Sequence, residues 1–431
     1  MKDVKLNSAR SVRGTIEVPG DKSISHRAAM IAAISTGCTR ISNYADSEDC
    51  ASTIKCLDQL GVEAVRRDGY LEINGVGTDG FRAPESELFC GNSGTTLRLM
   101  AGLLARRPFA CVLTGDSSIL RRPMERIARP LSQMGARIST DDGKPPLSIE
   151  ANSQLRGIDF FPPAPSAQVK SCVLFAGLSA EGTTRVTEKV KTRDHTERML
   201  RWFGVEVAEN ANEISIEGGQ RPAARNFRVP GDISSAVFFM AAAAGLENSD
   251  LSITGVGLNP TRIAIIDVMK ELGANIEVQL EGENGNEPVG TIKVLGGLGG
   301  AWPSPLRIDG ERVAAIIDEI PMLAVLATRS ANGIEIRNAA ELRIKESDRI
   351  ASVVENLKQM GAEVEEFADG FRVAPSPLKG ARVESFGDHR IAMAFSVAGL
   401  FAEGETEIAG SECVNVSFPG FFKLLSDVVN R

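Results

Sequence analysis

Two kinds of patterned segment alternate along the chain. The first is apolar nearly all round, rich in small residues, polar at its entry, and followed by Gly and a β-like run. It occurs six times, as "DKSISHRAAMIAAISTGCTRI", "SGTTLRLMAGLLARRPFACVL", "SAQVKSCVLFAGLSAEGTTRV", "DISSAVFFMAAAAGLENSDLSI", "DEIPMLAVLATRSANGIEI" and "DHRIAMAFSVAGLFAEGETEI". The second repeats apolar residues at i, i+3 and i+4 and tends to end in Leu-Gly or Met-Gly before another strand. Its copies are "CASTIKCLDQLGVEA", "MERIARPLSQMGARI", "HTERMLRWFGVEV", "TRIAIIDVMKELGANIEV", "SDRIASVVENLKQMGAEVEE" and "FPGFFKLLSDVV". A helix apolar on every side predicts burial, and one with a single apolar stripe predicts partial exposure. Alternation of helix and strand with a period of about 70 residues predicts six α/β units rather than a solenoid of small repeats.

The six units divide into two threes. "VPGD" stands at Val18–Asp21 and again at Val229–Asp232, each time leading into a helix of the first kind. A repeated Pro-Gly turn predicts paired crossings between two three-unit domains. One spans 20–230, and the other is discontinuous, made of 1–19 plus 231–431. The stretches "ENGNEPVG" and "LGGLGGAWPSP" predict surface loops in the second half.

Length and composition narrow the class. A chain of 431 residues exceeds what one hydrophobic core supports. With 43% hydrophobic and 24% charged residues it is neither disordered nor a coiled coil. A net charge of −8 excludes a general nucleic-acid binder, so any anion site has to be a local cluster of cations. The seven cysteines (38, 50, 56, 90, 111, 172 and 413) form no C-x-x-C pair and predict reduced core thiols in a cytoplasmic protein. No stretch reads as a signal peptide or approaches the length of a membrane span.

Candidate chemistry gathers at the helix entries. "PGDKSISHRAAMIAA" opens a core helix with Lys22 and Arg27. Asp21 or Ser23 can cap that helix, but a lysine at the positive end of its dipole is unfavourable unless an anion sits there. Arg98 and Lys170 lie in the second and third inner helices, and Arg390 opens the sixth. Arg121 and Arg122 precede Pro123, which reads as the first residue of an outer helix. Arg193 precedes another outer helix, and Lys345 and Arg349 flank a third. Free amides already favour anions at these points, and bidentate guanidinium contacts suit phosphate and carboxylate. Asp318, Glu319 and Glu346 are interleaved with the cations, where a carboxylate can serve as a base and a nearby lysine can exchange a proton. "GNSGTT" (Gly91–Thr96) has the form of a small anion nest. The three histidines, in "SHR", "RDHTER" and "DHR", are too dispersed for a metal site and predict hydrogen-bonding roles.

The strings "PGDKSISHR", "GNSGTTLRL", "RRPMERI", "SAQVKS", "TRDHTER", "PGDISSA", "IDEIP", "ELRIKESDRI" and "DHRIAMAF", in this order, resemble the enolpyruvyl transferases over nearly the whole chain. The wording of several is similar to the second bacterial class of the branch that acts on shikimate 3-phosphate. The resemblance implies a two-domain inside-out α/β barrel, each domain built from three βαβαββ repeats, with ligands in the cleft between them. It implies transfer of the enolpyruvyl group of phosphoenolpyruvate to the 5-hydroxyl of shikimate 3-phosphate, by addition and elimination, without metal or organic cofactor. By the same resemblance Lys22, Ser23, Arg27, Ser166, Ala167, Gln168, Arg193, Asp318 and Lys345 are expected to contact shikimate 3-phosphate. Lys22, Gly94, Arg122, Gln168, Arg349 and Arg390 are expected to hold phosphoenolpyruvate. Asp318 is the expected base for the hydroxyl proton, and Glu346, with Lys22, the group that protonates the methylene carbon. Gly94 implies competitive inhibition by glyphosate, because family members with Ala there exclude it. One departure is Val416, where one branch of the family carries a Lys. The family also implies a cytoplasmic monomer with no nucleic-acid or membrane partner.

Three rivals are disfavoured by the residues. A transferase acting on UDP-N-acetylglucosamine carries a Cys in the loop that here reads "TGDSSILRR". An RNA 3′-phosphate cyclase would sit poorly with the acidic balance and the missing basic stripe. A non-catalytic anion binder would have no reason to keep Lys22, Asp318 and Glu346 together.

Overall fold

The computed structural model describes residues 3–300 and 304–430. They form two compact units. One, the inserted unit, is Gly20–Val229 together with Glu283–Glu287. The discontinuous unit comprises the chain up to Pro19, Pro230–Gly282 and the chain from Pro288.

The inserted unit contains α1 (Lys22–Ile34), α2 (Glu48–Gln59), α3 (Gly94–Leu104), α4 (Glu125–Gln133), α5 (Ala167–Gly177) and α6 (His195–Trp202). Its three sheets share one order. In the second repeat Leu88–Phe89 runs parallel to Cys111–Thr114, which pairs antiparallel with Lys144–Ile149, itself antiparallel to Ile138–Asp141. The third repeat arranges Asp159–Phe160, Thr183–Thr187, Glu213–Glu217 and Val207–Asn210 in the same way. In the first repeat the leading place goes to Phe227–Arg228, parallel to Thr36–Ser42 with Phe227 opposite Ile41. The chain leaving this unit therefore completes the repeat through which it entered.

The discontinuous unit contains α7 (Ile233–Gly245), α8 (Ala264–Glu271), α9 (Glu311–Ile316), α10 (Ile320–Ala327), α11 (Arg349–Gln359), α12 (His389–Phe401) and α13 (Phe421–Val428). Leu306–Ile308, Ile334–Ile336, Gly370–Val373 and Val364–Phe367 repeat the same four-stranded order. Ser11–Glu17 lies parallel to Asp250–Gly257 within a five-stranded sheet. Arg382–Glu384 lies parallel to Glu405–Ala409, flanked on its far side by antiparallel Val4–Asn7.

The apolar helices are the inner ones. In the inserted unit α3 packs on α1 and α5, and in the discontinuous unit α7, α10 and α12 pack on one another. Every residue of α7 and α10 is buried, as is α1 from Ile24 to Ile34. Burial of a side chain such as Phe175 or Leu99 stabilises the fold by about 2–3 kcal/mol. Small residues let these helices approach: a Cβ on Gly102 of α3 would lie 2.2 Å from the Cys172 carbonyl oxygen of α5. The polar entries of the inner helices are thereby carried on rigid, core-anchored elements.

The two expected loops of the second half are largely a hairpin. Strands Ala274–Asn284 and Glu287–Leu298 are joined at Gly285 and Asn286, both with positive φ (58° and 62°), as a two-residue turn requires. Gly and Asn there are turn chemistry inside strands, which explains the misreading. The expected loop beyond Leu298 includes Ala301–Pro303, which lie outside the described residues. All seven cysteines are free; five are buried, Cys38 is exposed and Cys413 is intermediate.

Candidate active site

Three helix entries of the inserted unit carry most of its expected site residues, with Arg122 ahead of α4 and Arg193 ahead of α6. Asp21 caps α1 by accepting from the Ile24 amide at 2.9 Å, which places Lys22 in the first turn. Lys22 Nζ lies 2.8 Å from Asp49 Oδ2 at the start of α2, an acid that offsets the adverse dipole. One turn on, Arg27 is buried and held on three sides. Its Nε donates to Thr196 Oγ1 (2.7 Å), Nη1 to the Ser23 carbonyl (2.9 Å) and Nη2 to Ser171 Oγ (2.8 Å). Burial pulls its pKa down to about 10, with nearby Arg193 adding to the fall while Glu197 and Asp21 oppose it.

Ser93 caps α3 from the Thr96 amide, so Gly94 opens that helix. A Cβ on Gly94 would stand 3.0 Å from Arg98 Nη1 and 3.2 Å from Arg122 Nη1, so the glycine lies against two guanidiniums. Arg122 donates to Asn92 Oδ1 (3.0 Å) and Ser118 Oγ (3.2 Å). Arg98 Nη1 donates to Gln168 Oε1 (2.6 Å), and Gln168 Nε2 donates to Thr95 Oγ1 (2.9 Å). Ser166 caps α5, so Ala167 and Gln168 occupy its first turn. A chain of hydrogen bonds joins these entries: His26 Nδ1 to Thr53 Oγ1 (2.7 Å), Thr53 to Thr96 Oγ1 (2.7 Å), and Thr96 to Ser93 Oγ (2.8 Å). Burial, with Lys22 and Arg27 nearby, lowers the His26 pKa well below its usual value.

The discontinuous unit supplies the second cluster. Arg349, the first residue of α11, is buried and gathers three acids. Nε donates to Asp388 Oδ2 at 2.7 Å, Nη2 to Glu346 Oε2 at 2.6 Å, and Nη1 reaches Asp318 Oδ1 at 3.5 Å. Burial disfavours the Arg349 cation, but Asp388, Glu346 and Asp318 together hold its pKa above the ordinary range. Arg390, in the first turn of α12, donates to the Asp318 carbonyl (3.0 Å) and approaches its carboxylate at 3.8 Å. Lys345 lies 3.6 Å from Glu341. Glu319, buried behind Asp318, accepts from Ser234 Oγ and lies 3.7 Å from Arg262 and 3.9 Å from Arg390.

Two expectations are corrected. Lys170 is no part of a ligand-facing cation set, because it is buried between Glu188 and Glu197, 2.7 Å from each. Pro123 does not open an outer helix. Arg121 ends a short 3₁₀ turn, Ile119–Arg121, and α4 begins only at Glu125, after Met124.

Several site members went unread in the sequence. Asp388 was passed over beside the histidine of "DHR", although its cap position on α12 was a signal. Asp49 lies in the acidic first turn of α2, where a helix-stabilising role hides any other. Thr196 and Ser171 lie within "TRDHTER" and "SAQVKS", but nothing in those strings marks them as the hydrogen-bond partners of Arg27.

Helix N-termini armed with guanidiniums in each unit, and acids grouped on one buried Arg in the discontinuous unit, are the equipment of an α/β enzyme that handles anionic substrates. A family model described as EPSP synthase (3-phosphoshikimate 1-carboxyvinyltransferase) matches residues 6–425, and the chain belongs to that family. It is 50% identical over 433 aligned residues, 100% of each chain, to a 3-phosphoshikimate 1-carboxyvinyltransferase of Koribacter versatilis (strain Ellin345). Identity to the protein of that name from Bacillus subtilis (strain 168) is 46%, over 99% of this chain and 100% of the relative. A solved structure of EPSP synthase from Acinetobacter baumannii superposes with a TM-score of 0.87 at 42% identity, covering 99% of this chain and 98% of that one. The fold class expected from the sequence is thereby borne out.

Proposed function

We infer that the protein transfers the enolpyruvyl group of phosphoenolpyruvate to the 5-hydroxyl of shikimate 3-phosphate, releasing phosphate. The observation that carries this reading is Arg349 holding Glu346 at 2.6 Å and Asp318 at 3.5 Å, in a chain that belongs to this family throughout. Two carboxylates fixed on one guanidinium suit a reaction that takes a proton from one atom and gives one to another.

In this reading Lys22, Ser23, Arg27, Ser166, Ala167, Gln168, Arg193 and Lys345 bind shikimate 3-phosphate. Gly94, Arg122, Arg349 and Arg390, with Lys22 and Gln168, bind the carboxylate and phosphate of phosphoenolpyruvate. The polar grip on Arg27 and Arg122 supports these roles, because preset cations need no reorganisation when anions arrive. Asp318 accepts the 5-hydroxyl proton as that oxygen bonds to C2 of phosphoenolpyruvate. Glu346, assisted by Lys22, delivers a proton to C3, giving the tetrahedral intermediate. The C2–phosphate oxygen bond then breaks, phosphate leaves, and Glu346 takes a proton back from C3 so that the double bond re-forms. The enzyme acts as a cytoplasmic monomer on these two small molecules, and no helix among the described residues is long and apolar enough to cross a membrane.

The test is phosphate release from purified protein with phosphoenolpyruvate, with and without shikimate 3-phosphate. Release that needs both substrates, and is lost in Asp318→Ala and Lys22→Ala, is expected. Tight binding of shikimate 3-phosphate with no phosphate released would replace the enzyme by an anion-binding protein.

A further inference from the structure

The buried Lys170 has work that the substrate contacts do not account for. Its ammonium bridges Glu188 and Glu197 at 2.7 Å each, and all three side chains are at most 3% exposed. Burial alone would discharge a lysine, but the two carboxylates hold its pKa above the ordinary value. One cation shared by two buried acids leaves a surplus negative charge, a costly arrangement unless other cations lie close. Arg27 is such a cation: Glu197 is the strongest of the charges that stabilise it.

Glu188 is spent on more than Lys170. Its carboxylate accepts from the Thr192 hydroxyl and from the Thr192 amide (3.4 Å), while Lys170 Nζ reaches the Thr192 carbonyl at 3.5 Å. Thr192 is thus gripped at its amide, its carbonyl and its side chain by one buried ion pair. The next residue is Arg193, and α6 starts two residues after that, with Asp194 at its N-cap position. The backbone at Arg193 is bracketed by a pinned residue and a helix start. Thr196, in the first turn of that helix, accepts from Arg27 Nε at 2.7 Å, which brings Arg193 towards Arg27, and the Arg193 charge disfavours that guanidinium. Two like charges kept together by fixed backbone make a ready phosphate clamp.

We propose that Lys170, Glu188 and Thr192 are positioning residues that fix Arg193 beside Arg27 for the phosphate of shikimate 3-phosphate. This rests on the reading of Arg193 as a shikimate 3-phosphate contact. The ion pair acts on recognition of one substrate and not on the proton transfers.

The decisive variant is Thr192→Val, which removes the hydroxyl contact with no change of charge in the buried triad. It is expected to raise the KM for shikimate 3-phosphate about 10-fold, with kcat and the KM for phosphoenolpyruvate within about 2-fold of the parent. Thr192→Ser should restore the parent KM, which a loss of packing would not predict. Added to Arg193→Ala, Thr192→Val should cost nothing further, since both act through one group. An unchanged KM in Thr192→Val, an equal rise for both substrates, or full additivity with Arg193→Ala would overturn the proposal. If Thr192→Val is silent while Arg193→Ala raises the shikimate 3-phosphate KM, the positioning role fails and the substrate reading survives. If neither variant moves it, both fall.

Discussion

Arg349 Nε donates to Asp388 Oδ2 at 2.7 Å, with both side chains out of solvent, and this bond ties the first turn of α11 to the cap of α12. Asp388 also accepts from the Arg390 amide at 2.9 Å. One buried carboxylate therefore orients Arg349 and begins the helix that carries Arg390. The two guanidiniums are left facing Asp318.

Asp388→Ala is expected to destabilise the protein by up to about 3–5 kcal/mol, because Arg349 loses its one fully buried countercharge and keeps only the part-exposed Glu346 and Asp318. It should also lower kcat/KM for phosphoenolpyruvate by at least about 100-fold, through misplacement of Arg349 and Arg390. Asp388→Asn, which keeps the shape and one acceptor, should lose less stability. Denaturant midpoints and steady-state kinetics on the pair check this; a wild-type kcat/KM in Asp388→Ala would refute it.

Gly94→Ala introduces a methyl 3.0 Å from Arg98 Nη1 and 3.2 Å from Arg122 Nη1. Both neighbours are tips of long side chains, so they can yield, but only by leaving their present positions. The KM for phosphoenolpyruvate should rise about 10-fold and that for shikimate 3-phosphate should stay unchanged. Glyphosate, expected to compete with phosphoenolpyruvate, should weaken at least as much. Inhibition curves at several phosphoenolpyruvate concentrations decide the matter; tight glyphosate binding with normal catalysis would sink the steric account.

His26 makes stability acid-sensitive in a defined window. Its folded-state pKa lies well below 6.5, through burial and then the charges of Lys22 and Arg27. Below about pH 6.5 the unfolded chain binds a proton that the folded ring does not. The contribution is complete above that pH and is lost as pH falls towards the folded-state pKa. The slope from this one group approaches about 1.4 kcal/mol per pH unit. His26→Asn, whose amide can still bond Thr53, should flatten the loss between pH 7 and pH 5. Equal slopes in parent and variant would show that His26 is not responsible.

Glu319 balances buried Arg262, from which it is 3.7 Å away, and accepts from Ser234. Glu319→Gln keeps a hydrogen-bond acceptor but leaves Arg262 only Asp232, 3.9 Å away, as a countercharge, and about 1–3 kcal/mol of stability should go with it. Because Arg390 lies 3.9 Å from Glu319, phosphoenolpyruvate binding should weaken as well. A thermal unfolding scan and the phosphoenolpyruvate KM test both halves; an unchanged melting temperature would exclude the structural one.

Much of the fold was legible because its signal is local. The all-round apolar helices and the striped ones follow from residues a few positions apart, and so does the capping that puts Lys22, Gly94, Gln168 and Arg390 in first turns. The hairpin at Gly285–Asn286 was misread for the same reason. Its turn residues are a local signal, but the strand before them, Ala274–Asn284, is largely exposed with little apolar alternation to betray it, and only Ile292 and Val294 in the strand after them alternate.

By itself, then, the sequence determined the six-unit rhythm, the inner and outer helices, and the helix entries where cations collect. Only the tertiary structure decided how each of those cations is partnered. Lys22 and Lys170 both lie in the opening turns of inner helices, yet one meets Asp49 at a partly open entry and the other is enclosed by Glu188 and Glu197. Tertiary structure likewise chose Asp388 as the partner of Arg349 across 39 residues, and Phe227–Arg228 as the leading strand for Thr36–Ser42. Helix and strand periods are set by neighbours along the chain. Ion pairing is set by distance in space, which depends on how separate helices pack, and no short window of residues contains that information.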